Sequence, residues 1–131
     1  MACHIYAPSL ALNIMKAHDL LADQTIIVTG AATGIGQAFA LGAAAQGAHV
    51  LVADMNAADE TMDLIAKSGG RATYAKVDVS DDASVRAMAE TAIKATGRID
   101  GLINNAAYFR EVKLTPFEEL DPMVWDRIFQ V

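Results

Sequence analysis

Residues 25–36, Thr-Ile-Ile-Val-Thr-Gly-Ala-Ala-Thr-Gly-Ile-Gly, constrain the fold more than any other stretch of the chain. A short β-branched run, Ile26-Ile27-Val28, ends in a loop with glycines at 30, 34 and 36, and the loop opens into an alanine-rich helical pattern. A buried strand, a tight glycine turn and a helix start bring backbone N–H groups and the positive end of the helix dipole to one bend, which is a ready anion site. Glycine serves there where the backbone turns with positive φ, or where a phosphate or a neighbouring element approaches without a Cβ in the way. Taken alone, the loop reads equally well as a plain strand-to-helix turn whose glycines serve packing.

The rest of the chain repeats the strand–helix alternation. Strands are expected at Thr25–Thr29, His49–Asp54, 72–79 and 101–104, the second carrying the continuous apolar run Val50-Leu51-Val52 of a buried parallel strand. The first helix is expected over about residues 34–46, with Ile35, Ala38, Phe39 and Gly42 as its inward stripe and Gly47 as its C-cap. The second spans about 57–68, with Met62, Ile65 and Ala66 facing in. The third begins near Ser80-Asp81-Asp82, with Ser80 read as a cap, and follows the stripe Val85, Met88, Ala89, Ala92 and Ile93. Thr115-Pro116-Phe117-Glu118 resembles a capping box. Asp121-Pro122 opens a last helix with Val124, Trp125, Ile128 and Phe129 on one side.

Alternation with short links means parallel strands joined by right-handed crossovers, and such sheets bind ligands at the carboxyl ends of their strands. Four features fall there. They are the glycine loop, Asp54 with Met55, Asp78-Val79, and Asn104-Asn105-Ala106-Ala107. The glycine loop, Gly30 with Thr33, Gly34, Ile35 and Gly36, would hold a pyrophosphate. Asp54, 18 residues beyond Gly36, would accept the hydroxyls of an adenosine ribose and repel a 2′-phosphate, which predicts NAD rather than NADP. No basic residue adjoins Asp54 or precedes Gly34 to offset that repulsion. Asp78 is placed for an adenine amino group, with the Val79 main chain beside it. Each acid also has a plain reading, Asp54 as a solvated loop residue and Asp78 as a helix-entry acid. Asn104 is expected to tie strands together, with Asn105, Ala106 and Ala107 closer to the cofactor.

Composition narrows the function class. At 131 residues the chain is one domain's worth, 53% of it hydrophobic, and its net charge of −6 argues against nucleic acid or an anionic membrane as partner. The single cysteine, Cys3, cannot form an internal disulfide and fits a reducing, cytoplasmic setting. No metal-ligand spacing joins His4, His18 and His49, and no apolar run reaches the length of a membrane span. Residues 1–24 fit the pattern least and read as a poorly ordered tail or an over-extended start, leaving 25–131 as the binding domain.

These residues carry a family resemblance over about residues 20–131. The stretch from Thr29 to Gly36 resembles the TGxxxGxG signature of the short-chain dehydrogenase/reductase family, and Asn104-Asn105-Ala106-Ala107 its NNAG motif with Ala107 for the usual glycine. Trp125-Asp126-Arg127-Ile128-Phe129-Gln130-Val131 resembles the helix that leads to the family's catalytic asparagine. The resemblance implies an α/β fold, a Rossmann-like doubly wound parallel sheet of order 3-2-1-4, truncated after four strands and the start of the next helix. It implies hydride transfer between NAD(H) and a small alcohol or carbonyl, and a homo-oligomer in the full-length form.

The family's chemistry uses an Asn, a Ser and a Tyr-x-x-x-Lys pair, the Tyr serving as general acid/base. Tyr6, Tyr74 and Tyr108 are followed four residues later by Leu10, Asp78 and Val112, so no such pair exists and no catalytic residue is assigned. The expectation is a dinucleotide-binding portion that is inactive alone. Its fourth strand would present Leu102 and Ile103 on an open sheet edge, an aggregation hazard. Two alternatives stand beside it. One is a stand-alone NAD-binding or regulatory module. The other is a fragment of an S-adenosylmethionine-dependent methyltransferase, against which the Asn104–Ala107 motif and the glycine spacing argue.

Overall fold

A computed structural model describes residues 20–108, 112–113 and 115–131. The part of the expected tail before residue 20, which includes Cys3, lies outside the described residues. From Leu20 the chain is tied down: the Leu21 N–H donates to the Gln46 carbonyl at 2.9 Å, and the Leu21 side chain packs on the core.

Strands β1 (Thr25–Thr29), β2 (His49–Asp54), β3 (Arg71–Lys76) and β4 (Gly101–Ile103) form one parallel sheet in the order β3-β2-β1-β4. Helices α1 (Gly34–Ala45), α2 (Asp59–Lys67) and α3 (Asp82–Thr96) are the crossovers, and α4 (Pro122–Gln130) follows β4. The alternation of side chains along each strand builds two cores. Ile26, Val28, Val50 and Val52 pack under α1 and α2 with Ala40, Ala44 and Ile65. Ile27, Leu51 and Ala53 pack on the other face with Met88 and Ala92 of α3. Helices on both faces explain why β1 and β2 are near-continuous apolar runs. The chain runs outward from β1 to β3 and then crosses to β4 on the far side of β1. Strand order therefore reverses at β1, where a doubly wound sheet opens its crevice.

Several local expectations need correction. The buried face of α1 is Gly36, Ala40, Ala43 and Ala44, while Ile35 and Phe39 are 71% and 47% exposed. The sequence of α1 has almost no polar residue, so its apolar periodicity carries no contrast, and the backbone fit of glycine and alanine against the sheet decides the facing. Asp81, not Ser80, caps α3, its side chain accepting the Ser84 N–H at 2.9 Å. Residues 115–118 make no capping box, because Pro116 is extended and only a single 3-10 turn, Phe117–Glu119, fits before Asp121 caps α4.

On α2, Ile65 is buried and Met62 partly so, but Ala66 is exposed and Thr61 takes its place in the core. On α3, Met88 and Ala92 are buried as expected and Ile93 is 48% exposed. On α4, Val124 and Ile128 are half-buried, whereas Trp125 and Phe129 lie outward and stack on each other with ring centroids 4.9 Å apart. β4 forms the edge of the sheet, with Leu102 51% exposed.

Candidate functional site

The four features expected at the carboxyl ends of the strands lie along one edge of the sheet. The glycine loop follows β1, Asp54 and Met55 end β2, Asp78 and Val79 follow β3, and Asn105, Ala106 and Ala107 follow β4. A separate cleft of about 350 Å³, bordered by His49, Ile65 and Arg71, opens at the opposite edge of the sheet and contains none of them.

Two glycines are required by the loop for different reasons. Gly30 turns with φ +66°, and a Cβ there would stand 2.9 Å from the Ala106 Cα. Gly36 lets the first turn of α1 lie against the loop, since a Cβ would stand 2.0 Å from the Gly30 carbonyl oxygen and 2.6 Å from the Asn105 Nδ2. Both side-chain positions are filled by protein, so these glycines close the loop on itself. Gly34, with φ +63°, faces open space. Thr33 is the N-cap of α1, yet its side chain makes no capping bond, and the first turn contains no acid. Thr33, Gly34 and Ile35 are exposed. The first-turn donors of α1 thus have neither a side-chain cap nor a local carboxylate, which suits an external anion.

Asp54 is almost wholly buried and firmly held. Its Oδ2 accepts the Ala32 N–H at 2.9 Å, and its Oδ1 accepts the Asn56 N–H at 2.9 Å and the Asn56 amide at 3.2 Å. Each carboxylate oxygen offers two acceptor sites, so Oδ2 retains capacity for one further hydroxyl. Met55 beside it is 48% exposed. Asp78 accepts from the Ser80 hydroxyl at 2.6 Å and the Ser80 N–H at 2.9 Å, and these bonds hold its carboxyl below the usual carboxylate range, with Arg127 adding to the drop. The Asp78 N–H donates to the Ser84 hydroxyl at 2.9 Å. The Val79 side chain packs with Val85 on the α3 core.

The strand tie expected of Asn104 is made by Asn105. Its Nδ2 donates to the carbonyls of Thr29 at 3.0 Å and Gly30 at 3.3 Å, while Asn104 is exposed. Successive residues of a strand end point to opposite sides, so the pair divides one inward and one outward. Thr29 completes the tie: its hydroxyl accepts the N–H groups of Asn105 at 3.0 Å and Ala106 at 3.1 Å, and donates to the Ile103 carbonyl at 3.3 Å. Thr29, Gln37 and Thr61 are site residues that sequence reasoning passed over. A polar residue closing a buried apolar strand, as Thr29 does, or standing beside the expected inward residues Met62 and Ile65, as Thr61 does, must find a partner, and that is the available signal.

The surroundings of Tyr74 do not favour proton transfer by its hydroxyl. Its hydroxyl donates to the Asn56 carbonyl at 3.0 Å, and burial, then the charges of Asp54 and Asp59, push its pKa up, the wrong direction for proton transfer near neutral pH. Among the described residues there is no cluster of potential metal ligands and no helix long and apolar enough to cross a membrane.

Residues 24–131 match the family model described as short chain dehydrogenase. An uncharacterized oxidoreductase of Bacillus subtilis is 47% identical over 93 residues, which cover 70% of this chain and 34% of the relative. The 3beta-hydroxysteroid dehydrogenase 2 of Eggerthella lenta is 35% identical over 118 residues, covering 88% of this chain and 45% of its own length. Among solved structures, a short chain dehydrogenase from Mycobacterium smegmatis has a TM-score of 0.80 and 34% identity, covering 88% of this chain and 48% of that one. The chain spans about a third to a half of the length of these relatives.

Proposed function

The chain belongs to the short-chain dehydrogenase family, and from that premise we propose that it is the NAD-holding part of an oxidoreductase acting on a small alcohol or carbonyl. The observation that carries this is the convergence, on one sheet edge at the strand-order reversal, of an uncapped helix start and the buried carboxylate of Asp54. The α1 N-terminus would take the pyrophosphate on its first-turn N–H groups. Asp54 would accept the adenosine ribose through the remaining capacity of Oδ2 and repel a 2′-phosphate, which favours NAD over NADP. The free side of the Asp78 carboxylate and the Val79 main chain would border the adenine, with Met55 covering it. Asn105, Ala106 and Ala107 would line the far side of the crevice.

Bound NAD(H) supplies the hydride chemistry. The residues at this edge bind and orient, and among the described residues none is assigned to move a proton to or from a substrate oxygen; on this reading that step belongs to the full-length protein. The expected partners are therefore a dinucleotide for this chain and a small substrate for the full-length protein, in a homo-oligomer of the cytoplasm. Saturable enhancement of NADH fluorescence by the purified chain, with S-adenosylmethionine failing to compete, is the expected result. Absence of NADH binding together with binding of S-adenosylmethionine would overturn the reading.

A further inference from the structure

We propose that Thr61, a residue of α2 about 30 positions along the chain from the glycine loop, is a positioning residue that sets the phosphate-facing conformation of that loop. The proposal rests on the dinucleotide reading above and names a device within that site.

Thr61 is fully buried. Its Oγ1 lies 3.0 Å from the carbonyl oxygen of Ala31 and 3.0 Å from that of Ala32, and it accepts the Gln37 side-chain N–H at 3.0 Å. A hydroxyl has one proton and two acceptor sites. The Gln37 bond occupies an acceptor site, which leaves the proton for the two loop carbonyls. One hydroxyl therefore joins α1, α2 and the loop between β1 and α1.

The bond geometry reaches the anion site through the peptide planes. The Ala31 carbonyl and the Ala32 N–H belong to one peptide unit. Thr61 holds that unit by its oxygen, and Asp54 Oδ2 holds it by its N–H at 2.9 Å. The next unit carries the Ala32 carbonyl and the Thr33 N–H. In a trans peptide these two groups point in opposite directions. Holding the Ala32 carbonyl inward on Thr61 thus turns the Thr33 N–H away from α2, at the exposed, uncapped start of α1. No peptide bond in this region is cis. A valine would fill the same volume and satisfy the packing against Ala31 and Ala32, but it would leave both carbonyls without a donor and the Ala32 carbonyl, whose peptide unit Asp54 does not hold, free to rotate.

The test compares Thr61→Val, Thr61→Ser and the unchanged chain in titrations with NADH, which uses the loop, and with adenosine, which has no phosphate. Thr61→Val is expected to weaken NADH binding about tenfold, the loss of roughly one buried hydrogen bond, with adenosine affinity unchanged and Thr61→Ser restoring NADH. Equal NADH affinity in Thr61→Val, or an equal loss for NADH and adenosine, overturns the proposal. Should Thr61→Val fail to fold, Gln37→Leu carries the test: it releases the hydroxyl to turn, and an NADH-selective loss of about threefold is expected, with unchanged NADH affinity overturning the proposal. If the unchanged chain binds adenosine but not NADH, the dinucleotide reading fails first, a result distinct from failure of either variant.

Discussion

The Asp54 carboxylate accepts the Ala32 main-chain N–H at 2.9 Å, so the residue that would choose the cofactor is also fastened to the loop that would hold its phosphates. On the proposed reading, ribose recognition and loop shape would share one side chain, and the two could not be altered independently.

It follows that Asp54→Ser, a simple route to admitting a 2′-phosphate, will fail as a specificity switch here. A serine is too short to reach both the Ala32 and the Asn56 N–H groups, and leaving a buried donor unpaired costs about 1–3 kcal/mol. We expect the variant to lose NADH affinity about tenfold or more, gain no NADPH affinity and melt at lower temperature. Parallel titrations and a thermal melt check this; a variant of unchanged stability that prefers NADPH would contradict it.

The glycines at 34 and 36 are expected to respond differently to alanine. Gly36→Ala drives a Cβ to 2.0 Å from the Gly30 carbonyl oxygen, a backbone clash that no rotamer relieves, and is expected to cost about 3 kcal/mol or more. Gly34→Ala meets no atom within 4 Å and carries only the left-handed strain of its φ of +63°, about 1–2 kcal/mol. Urea titration of both variants measures the difference.

Thr29→Val removes the hydroxyl that accepts two N–H groups at the end of β4. Each is left to find water at a half-buried site, so a loss of about 2–4 kcal/mol is expected, with Thr29→Ser recovering most of it. Amide exchange at Asn105 and Ala106 would locate the loosening at this junction. Uniform loosening of the sheet would count against the tie.

His49, bonded through Nε2 to the Thr73 hydroxyl at 2.9 Å, gives a pH dependence whose sign is fixed by its surroundings. Burial pushes the imidazole below its usual 6.5, and the neighbouring Arg71 charge lowers it further. The unfolded chain therefore takes up this proton at a higher pH than the folded one. The stability contributed by the neutral imidazole is complete above about pH 6.5 and is lost as pH falls below it. Melting temperatures between about pH 7 and pH 5 should fall more steeply for the unchanged chain than for His49→Gln; parallel curves would refute the assignment.

What was legible in the sequence follows from contrast. The apolar runs of β1 and β2, closed by Gly30 and Asp54, announce buried parallel strands, and the β3-β2-β1-β4 order agrees with the family resemblance carried by the glycine loop and the Asn-Asn-Ala-Ala motif. The facing of α1 was not legible, because alanine and glycine on all sides give no stripe to read. Nor was the division of labour between Asn104 and Asn105, which depends on which of two adjacent residues the end of β4 turns inward. Thr61 was hidden by a different effect: its role is set by carbonyls of residues 31 and 32, far away in sequence, and only the packing of α2 on the loop brings them together.

Whether Asp54 makes this edge an NAD site is tested most directly by titrating the unchanged chain with NADH and NADPH side by side at fixed ionic strength. The expected result is saturable binding of both through the same site, with NADH at least about tenfold tighter, the difference expected from one repelled phosphate beside a buried carboxylate. NADPH binding as tightly as NADH, or more tightly, would contradict it.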